Sequence, residues 1–122
     1  MKFLLVEDEP IAQVVSATNI RELGFDIDIA GSGEKALTLL QSNNYALIFM
    51  DIGLPDTTGF ALTKKIHQEK LVAEKTPIVA LTAHDDEDTR AKAKECGLID
   101  FVVKPLTIPK ATALFKKLGL MP

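Results

Sequence analysis

LIFMDIGLPDTTG, residues 47–59, is the stretch from which the fold of this chain is read. Leu47 to Met50 are apolar without interruption, the pattern of a strand covered on both faces. The run then meets Asp51, and Gly53 and Pro55 break the chain directly after it. A strand buried along its whole length belongs in the centre of a sheet, and its carboxylate then sits at the edge where ligands gather.

Working outward, three more short apolar runs end on polar residues: Phe3–Val6 before Glu7-Asp8, Ile78–Leu81 before Thr82, and Phe101–Val103 before Lys104-Pro105. Phe25, Ile27 and Ile29 alternate with Asp26 and Asp28, as a half-exposed edge strand does. Helical patterns separate the strands. Ile11, Val14, Val15 and Thr18 share a face that is read as the inner one, and Gly24 stops that helix. Ser32 caps a helix carrying Ala36, Leu37 and Leu40, with Asn43-Asn44 at its end. Phe60, Leu62 and Ile66 mark the inner face of the third, followed by a polar stretch over 68–75. Asp85–Asp88 open the fourth, where acids favour the helix dipole, and Gly97 ends it. The last begins near Thr107, with Pro109 in its first turn and Ala111, Leu114 and Leu118 facing inward. Five strands alternating with five helices predict a parallel sheet covered by helices on both faces, an α/β three-layer sandwich.

With 122 residues, one domain spanning 1–122 is expected, ending where a free-standing or excised domain would end. A net charge of -3 gives no basic field for direct nucleic-acid contact. The apolar runs are far shorter than the roughly 20 residues that cross a bilayer, so no membrane contact by this domain is expected. One cysteine, Cys96, leaves no internal disulfide and is read as a small buried residue, and a reducing, cytoplasmic setting fits.

In a doubly wound sheet the strand ends meet on one edge, which brings Glu7, Asp8, Asp51, Thr82 and Lys104 together. Three clustered carboxylates repel unless one is protonated or a cation is bound. An all-oxygen set of this kind suits Mg²⁺, which takes one or two carboxylates, waters and phosphate oxygens. Lys104 and the Thr82 hydroxyl add a positive charge and a donor, so the set reads as a place for a phosphoryl group, with a carboxylate available as nucleophile.

These residues resemble the receiver domain of bacterial two-component response regulators, over essentially the whole chain. Val6-Glu7-Asp8 matches the family's acidic pair. Met50-Asp51 with Leu54-Pro55 and Gly59 matches the phosphoacceptor segment, Leu81-Thr82-Ala83 the hydroxyl segment, and Lys104-Pro105 the lysine. The ending KPLTIPKATALFKK is also similar to receivers inside hybrid sensor histidine kinases. The resemblance implies a flavodoxin-like fold of strand order 2-1-3-4-5 that works as a phosphorelay switch rather than as an enzyme in the ordinary sense. It would contribute to its own phosphorylation and dephosphorylation. Asp51 would take a phosphoryl group from a phosphohistidine of a histidine kinase or histidine phosphotransfer domain. Asp8, Asp51 and the Gly53 carbonyl would bind Mg²⁺, with Glu7 acting through a water. Thr82, the Ala83 backbone N–H and Lys104 would hold the phosphoryl oxygens. Thr82 and Phe101 would act as the switch, biasing a downstream protein contact on the fourth helix, fifth strand and fifth helix of a monomer or weak dimer. Gly53 and His84 occupy variable positions that influence water access to the acyl phosphate. The setting would be the cytoplasm, including the cytoplasmic part of a membrane-anchored sensor kinase.

Gly31-Ser32-Gly33-Glu34-Lys35-Ala36 fits G-x-G-x-x-A, with Asp51 near the spacing of a ribose-binding acid, the best case for a dinucleotide-dependent oxidoreductase. Its preceding strand, however, looks like an edge. A haloacid-dehalogenase-like phosphatase needs a second acid where Gly53 stands. Asp85–Asp88 lack the glycine and glutamate of a calcium loop, and His67 reads as surface. A receiver-like interaction module that is never phosphorylated keeps the fold without needing Asp8, Asp51, Thr82 and Lys104 all at once.

Overall fold

The structure, a computed structural model, describes residues 1–73 and 75–122, so Glu74 of the polar stretch over 68–75 lies outside the described residues. The elements are β1 (Lys2–Val6), α1 (Pro10–Glu22), β2 (Asp26–Ala30), α2 (Gly33–Ser42), β3 (Leu47–Asp51), α3 (Gly59–Gln68), β4 (Ile78–Thr82), α4 (Glu87–Glu95), β5 (Asp100–Val103) and α5 (Ile108–Lys117). Every strand pair is parallel and the order is β2-β1-β3-β4-β5, so the flavodoxin-like arrangement is present, with β2 at an edge and β3 between β1 and β4. The order reverses beside β1, and a crevice forms at the carboxyl ends of β1 and β3.

The uninterrupted apolar runs follow from two covered faces. Phe3, Leu5, Leu47, Phe49, Val79 and Leu81 point toward α1 and α5, against Ala17, Ile20, Ala111, Leu114 and Phe115. Leu4, Val6, Ile48, Met50, Ile78 and Ala80 point the other way, against Ala36, Leu40, Leu62, Ile66 and Ala93. Leu47 to Met50 are all fully buried. At roughly 2 kcal/mol each they offset the cost of keeping a carboxylate at the end of β3. A second anchor lies at the opposite edge. Phe25, just before β2, stacks on Phe3 with ring centroids 4.8 Å apart, and Phe115 meets both at 5.2 and 5.0 Å. An aromatic group thus sits at the amino ends of β1 and β2 and the polar chemistry at the carboxyl ends.

The caps agree with the residues that suggest them. Ser32, Thr58, Asp86 and Thr107 each accept an N–H at the start of a helix, and Gly24 and Gly97 adopt φ of +94° and +91° just past α1 and α4. Glu9 caps α1 by accepting from the Ile11 and Ala12 amides.

One expectation fails. The inner face of α1 is Ser16, Ala17 and Ile20, while Ile11 and Val14 are 72% and 65% exposed and Val15 and Thr18 also face outward. Small residues at 16 and 17 let the helix lie close to the sheet, and Asn19 fastens it to the chain beyond β5 by donating to the Leu106 carbonyl at 2.9 Å. Smaller corrections concern Leu37, Phe60 and Leu118, which are half-buried, Phe115, which carries the inner face of α5, and Cys96, which is half-buried rather than buried.

Candidate functional site

The carboxyl edge holds a cleft of about 520 Å³ lined by Glu7, Asp8, Asp51, Gly53, Thr82, Ala83 and Lys104. Every site residue singled out from the sequence is therefore in one place, except Phe101. His84, which the resemblance sets beside the site, is also in the lining, and Glu9, Ile52 and Thr89 join it with nothing in their local sequence to mark them out.

Each side chain arrives through its strand. Asp51 continues the alternation of Leu47 and Phe49, so it emerges on the α1 and α5 side of the sheet while remaining buried. Its Oδ1 accepts the Gly53 N–H at 3.0 Å, and its Oδ2 lies 3.1 Å from Lys104 Nζ. Lys104 is aimed by a backbone bond, its N–H donating to the Thr82 carbonyl at 2.7 Å, and the Lys104–Pro105 peptide is cis. The ammonium also stands 2.6 Å from Glu7 Oε1. Glu7 is buried, its main chain held by the Gln13 side chain, which donates to the Glu7 carbonyl at 2.6 Å. Asp8, next to it, is exposed.

Glu7, Asp8 and Asp51 each place a carboxylate oxygen within 4.8 Å of the others. Three acids and one lysine leave the cluster short of positive charge, and burial makes the deficit costly. The strain shows in Glu7: burial and the neighbouring Asp51 push its carboxyl from 4.5 up to about 7, with Lys104 opposing. Burial alone would lower Lys104, but Glu7 and Asp51 outweigh it and hold the ammonium above its usual range. Among the described residues, Glu7 Oε1 has no aligned hydrogen-bond donor beyond this ion-pair contact. A set of hard oxygen ligands with surplus negative charge and an underused buried oxygen fits a divalent cation such as Mg²⁺.

This yields a pH dependence of definite sign. Between pH 4.5 and 7 the folded chain keeps a proton on Glu7 that the unfolded chain has released. Glu7 therefore makes the metal-free protein more stable as pH falls through about 7, with the gain complete near 4.5. Asp56, Asp85 and Asp86 are held below their ordinary 3.8 and act only at lower pH. A thermal midpoint in chelator that rises on going from about pH 8 to about pH 5 is the expected result, and one that falls would contradict it.

Around the cleft, the Thr82 hydroxyl lies 3.2 Å from both backbone groups of His84, accepting from its N–H and donating to its carbonyl. Phe101 is half-buried in β5, and the Arg90 guanidinium sits 4.7 Å from its ring centroid. Arg90 is in turn held by Asp85 through bonds of 2.6 and 3.0 Å. The amides of Gly33 and Glu34, which the dinucleotide reading would give to a pyrophosphate, already receive both oxygens of Asp56.

Residues 3–116 match the family model described as the response regulator receiver domain. The chain belongs to this family. The receiver is 33% identical over 117 residues to the aerobic respiration control sensor protein ArcB of Escherichia coli (strain K12), a match that covers 96% of this chain and 15% of ArcB. A two-component response regulator from Clostridium difficile superposes with a TM-score of 0.88 at 29% identity, over 98% of this chain and 96% of that one. The response regulator TrrA from Thermotoga maritima, in complex with Mg(2+)-BeF, gives 0.80 at 30% identity, over 96% and 97%. No helix among the described residues of the receiver is long and apolar enough to cross a membrane.

Proposed function

We propose that residues 1–122 form one phosphoacceptor domain of a phosphorelay, with Asp51 as the residue that is phosphorylated. The observation that carries this reading is the bridge made by Lys104, whose Nζ contacts both Asp51 and Glu7 at the strand ends, beside an exposed third acid. A lysine so placed can follow a phosphoryl group onto Asp51 without leaving the site.

In the step, an Asp51 oxygen attacks the phosphorus of a phosphohistidine. The new O–P bond forms as the P–N bond breaks, and the imidazole leaves with the electron pair. Asp8, Asp51 and the Gly53 carbonyl would hold Mg²⁺, with Glu7 through a water, and the ion supplies neutralisation of the charge gathered on the phosphoryl oxygens. The TrrA relative in complex with Mg(2+)-BeF supports this assignment. Lys104, the Thr82 hydroxyl and the Ala83 N–H would bind the phosphoryl oxygens. To do so Thr82 must release His84, and that release is what couples chemistry to the switch. The space it vacates favours an inward turn of Phe101, altering the α4-β5-α5 face for a downstream protein. Loss of the phosphoryl group to water, at a rate influenced by Gly53 and His84, would reset the domain.

The donor would be a histidine kinase or histidine phosphotransfer domain in the cytoplasm, within a separate protein or a membrane-anchored sensor kinase. Exposed Ile11 and Val15 line a second pocket that shares Glu9 and Lys104 with the cleft, and give such a protein an apolar surface to seat on. The domain would act as a monomer or weak dimer. Incubation with acetyl phosphate and Mg²⁺ is expected to add one phosphoryl mass to the intact chain, and chelation is expected to stop it. Uptake that is indifferent to chelator would refute the metal assignment. No uptake from any donor would favour the unphosphorylated interaction module.

A further inference from the structure

We propose that Asp56 is a positioning residue for the metal-binding loop. Its carboxylate would moor residues 52–58 to the start of α2 and so fix the Gly53 carbonyl beside Asp51 and Asp8. The inference rests on the Mg²⁺ reading above and deepens it.

The loop is tied at two points. At its base, Gly53 and Thr58 form an antiparallel bridge, the Gly59 N–H donates to the Ile52 carbonyl at 2.8 Å, and the Gly53 N–H donates to Asp51. A Cβ on Gly59 would clash with the Asp51 carbonyl oxygen, so the base is closed tightly on the strand that ends in Asp51. At its tip, Pro55 restricts the backbone and Asp56 reaches across 23 residues of sequence to α2, where Oδ1 takes the Gly33 N–H at 2.9 Å and Oδ2 takes the Glu34 N–H at 3.0 Å.

Simple helix capping does not account for this arrangement. α2 has its own cap in Ser32, whose hydroxyl accepts the Lys35 N–H at 3.1 Å. Asp56 takes the two amides that Ser32 leaves, with one carboxylate oxygen for each, as a bound anion would. The approach is close as well as polar: a Cβ on Gly33 would lie 2.7 Å from Thr57 Cγ2 and 3.3 Å from Asp56 Oδ1. The Gly33 and Glu34 amides hold the Asp56 carboxyl below its usual range, so the mooring is charged at any working pH and is not a pH switch. Without the tip anchor, the ties left to fix the Gly53 carbonyl among the described residues are those at the base of the loop: the bridge to Thr58, the Gly59 bond to Ile52 and the Gly53 N–H bond to Asp51. The carbonyl's alignment with the two acids is then left to thermal motion, at a cost in metal affinity.

Calorimetric titration of MgCl₂ into the whole chain tests this, with wild type, Asp56→Ala, Gly33→Ala and Ser32→Ala compared. Asp56→Ala removes the mooring and Gly33→Ala pushes the loop away from the α2 side. Both are expected to weaken Mg²⁺ roughly fivefold to tenfold. Ser32→Ala removes a cap of the same helix without touching the loop, so its melting temperature should fall while its Mg²⁺ affinity stays that of wild type. Unchanged affinity in Asp56→Ala, or an equal loss in Ser32→Ala, overturns the proposal. If Asp56→Ala does not fold, Asp56→Asn, which keeps one acceptor, and Gly33→Ala decide it in the same way. A wild-type chain that gives no Mg²⁺ binding, or an Asp8→Asn variant that binds as well as wild type, defeats the metal reading itself, a result distinct from failure of the mooring.

Discussion

Asp8→Asn is expected to weaken Mg²⁺ binding about a hundredfold while leaving the fold intact. Asp8 is exposed and lies outside both halves of the core, so its removal opens no cavity. What it removes is one of three carboxylates whose oxygens lie within 4.8 Å of one another, and the one that solvent reaches most easily. The remaining pair is already engaged by Lys104, which competes with a cation for the same oxygens. Phosphoryl uptake at limiting Mg²⁺ should fall with the affinity and recover in part at high Mg²⁺, because Asp51 itself is untouched. The chain has no tryptophan, which makes calorimetry or backbone amide shifts the suitable readout. An affinity equal to that of wild type would remove Asp8 from the metal site.

Lys104→Ala should slow phosphoryl uptake at saturating Mg²⁺ about a hundredfold or more, the usual loss when a fixed donor to a developing charge is deleted. Its effect on stability is separable from that loss. The variant leaves Glu7 facing Asp51 with no ammonium between them, and Glu7 is the group that responds, because burial already favours its protonated form. Above pH 7 the variant should lose about 2 kcal/mol relative to wild type, less than for a fully buried pair because Lys104 is one quarter exposed. Toward pH 5 the difference should narrow as Glu7 takes up its proton in both, leaving the part due to the lost Asp51 contact. Denaturant melts at the two pH values measure this directly. A deficit independent of pH would mean that Lys104 acts on stability through Asp51 or the packing of its stem rather than through Glu7.

Much of this molecule can be read in its strands. The runs at 3–6, 47–50, 78–81 and 101–103 carry no polar residue because both faces are covered, and the alternation of β2 marks an edge. Parallel winding then sends every strand end to one rim, so a reader who knows where the runs stop already knows which side chains meet. The helices are less legible. Ile11, Val14 and Val15 have the period of a buried stripe, yet α1 turns Ser16, Ala17 and Ile20 inward. Periodicity identifies a face without saying which element covers it, and a close helix-to-sheet approach selects small residues that carry little hydropathy. Contacts set by tertiary placement are also hidden in the sequence. The reach of Asp56 to α2, the Arg90 guanidinium over Phe101 and the support of Glu7 by Gln13 depend on loops and helix ends that no spacing rule fixes.

The degree of charge strain within the site is likewise a property of burial. Glu7 and Asp8 are adjacent acids in the sequence, but only Glu7 is enclosed, and that burial pushes its carboxyl up to about 7. That difference separates two residues the sequence presents as a pair.

Whether Asp51 takes the phosphoryl group is read from the intact mass of the chain after exposure to a small phosphodonor with Mg²⁺, for wild type and Asp51→Asn side by side. We expect one phosphoryl mass on wild type, lost in mild base as an acyl phosphate should be, and none on Asp51→Asn. A shift of the same size and stability on Asp51→Asn would contradict the account.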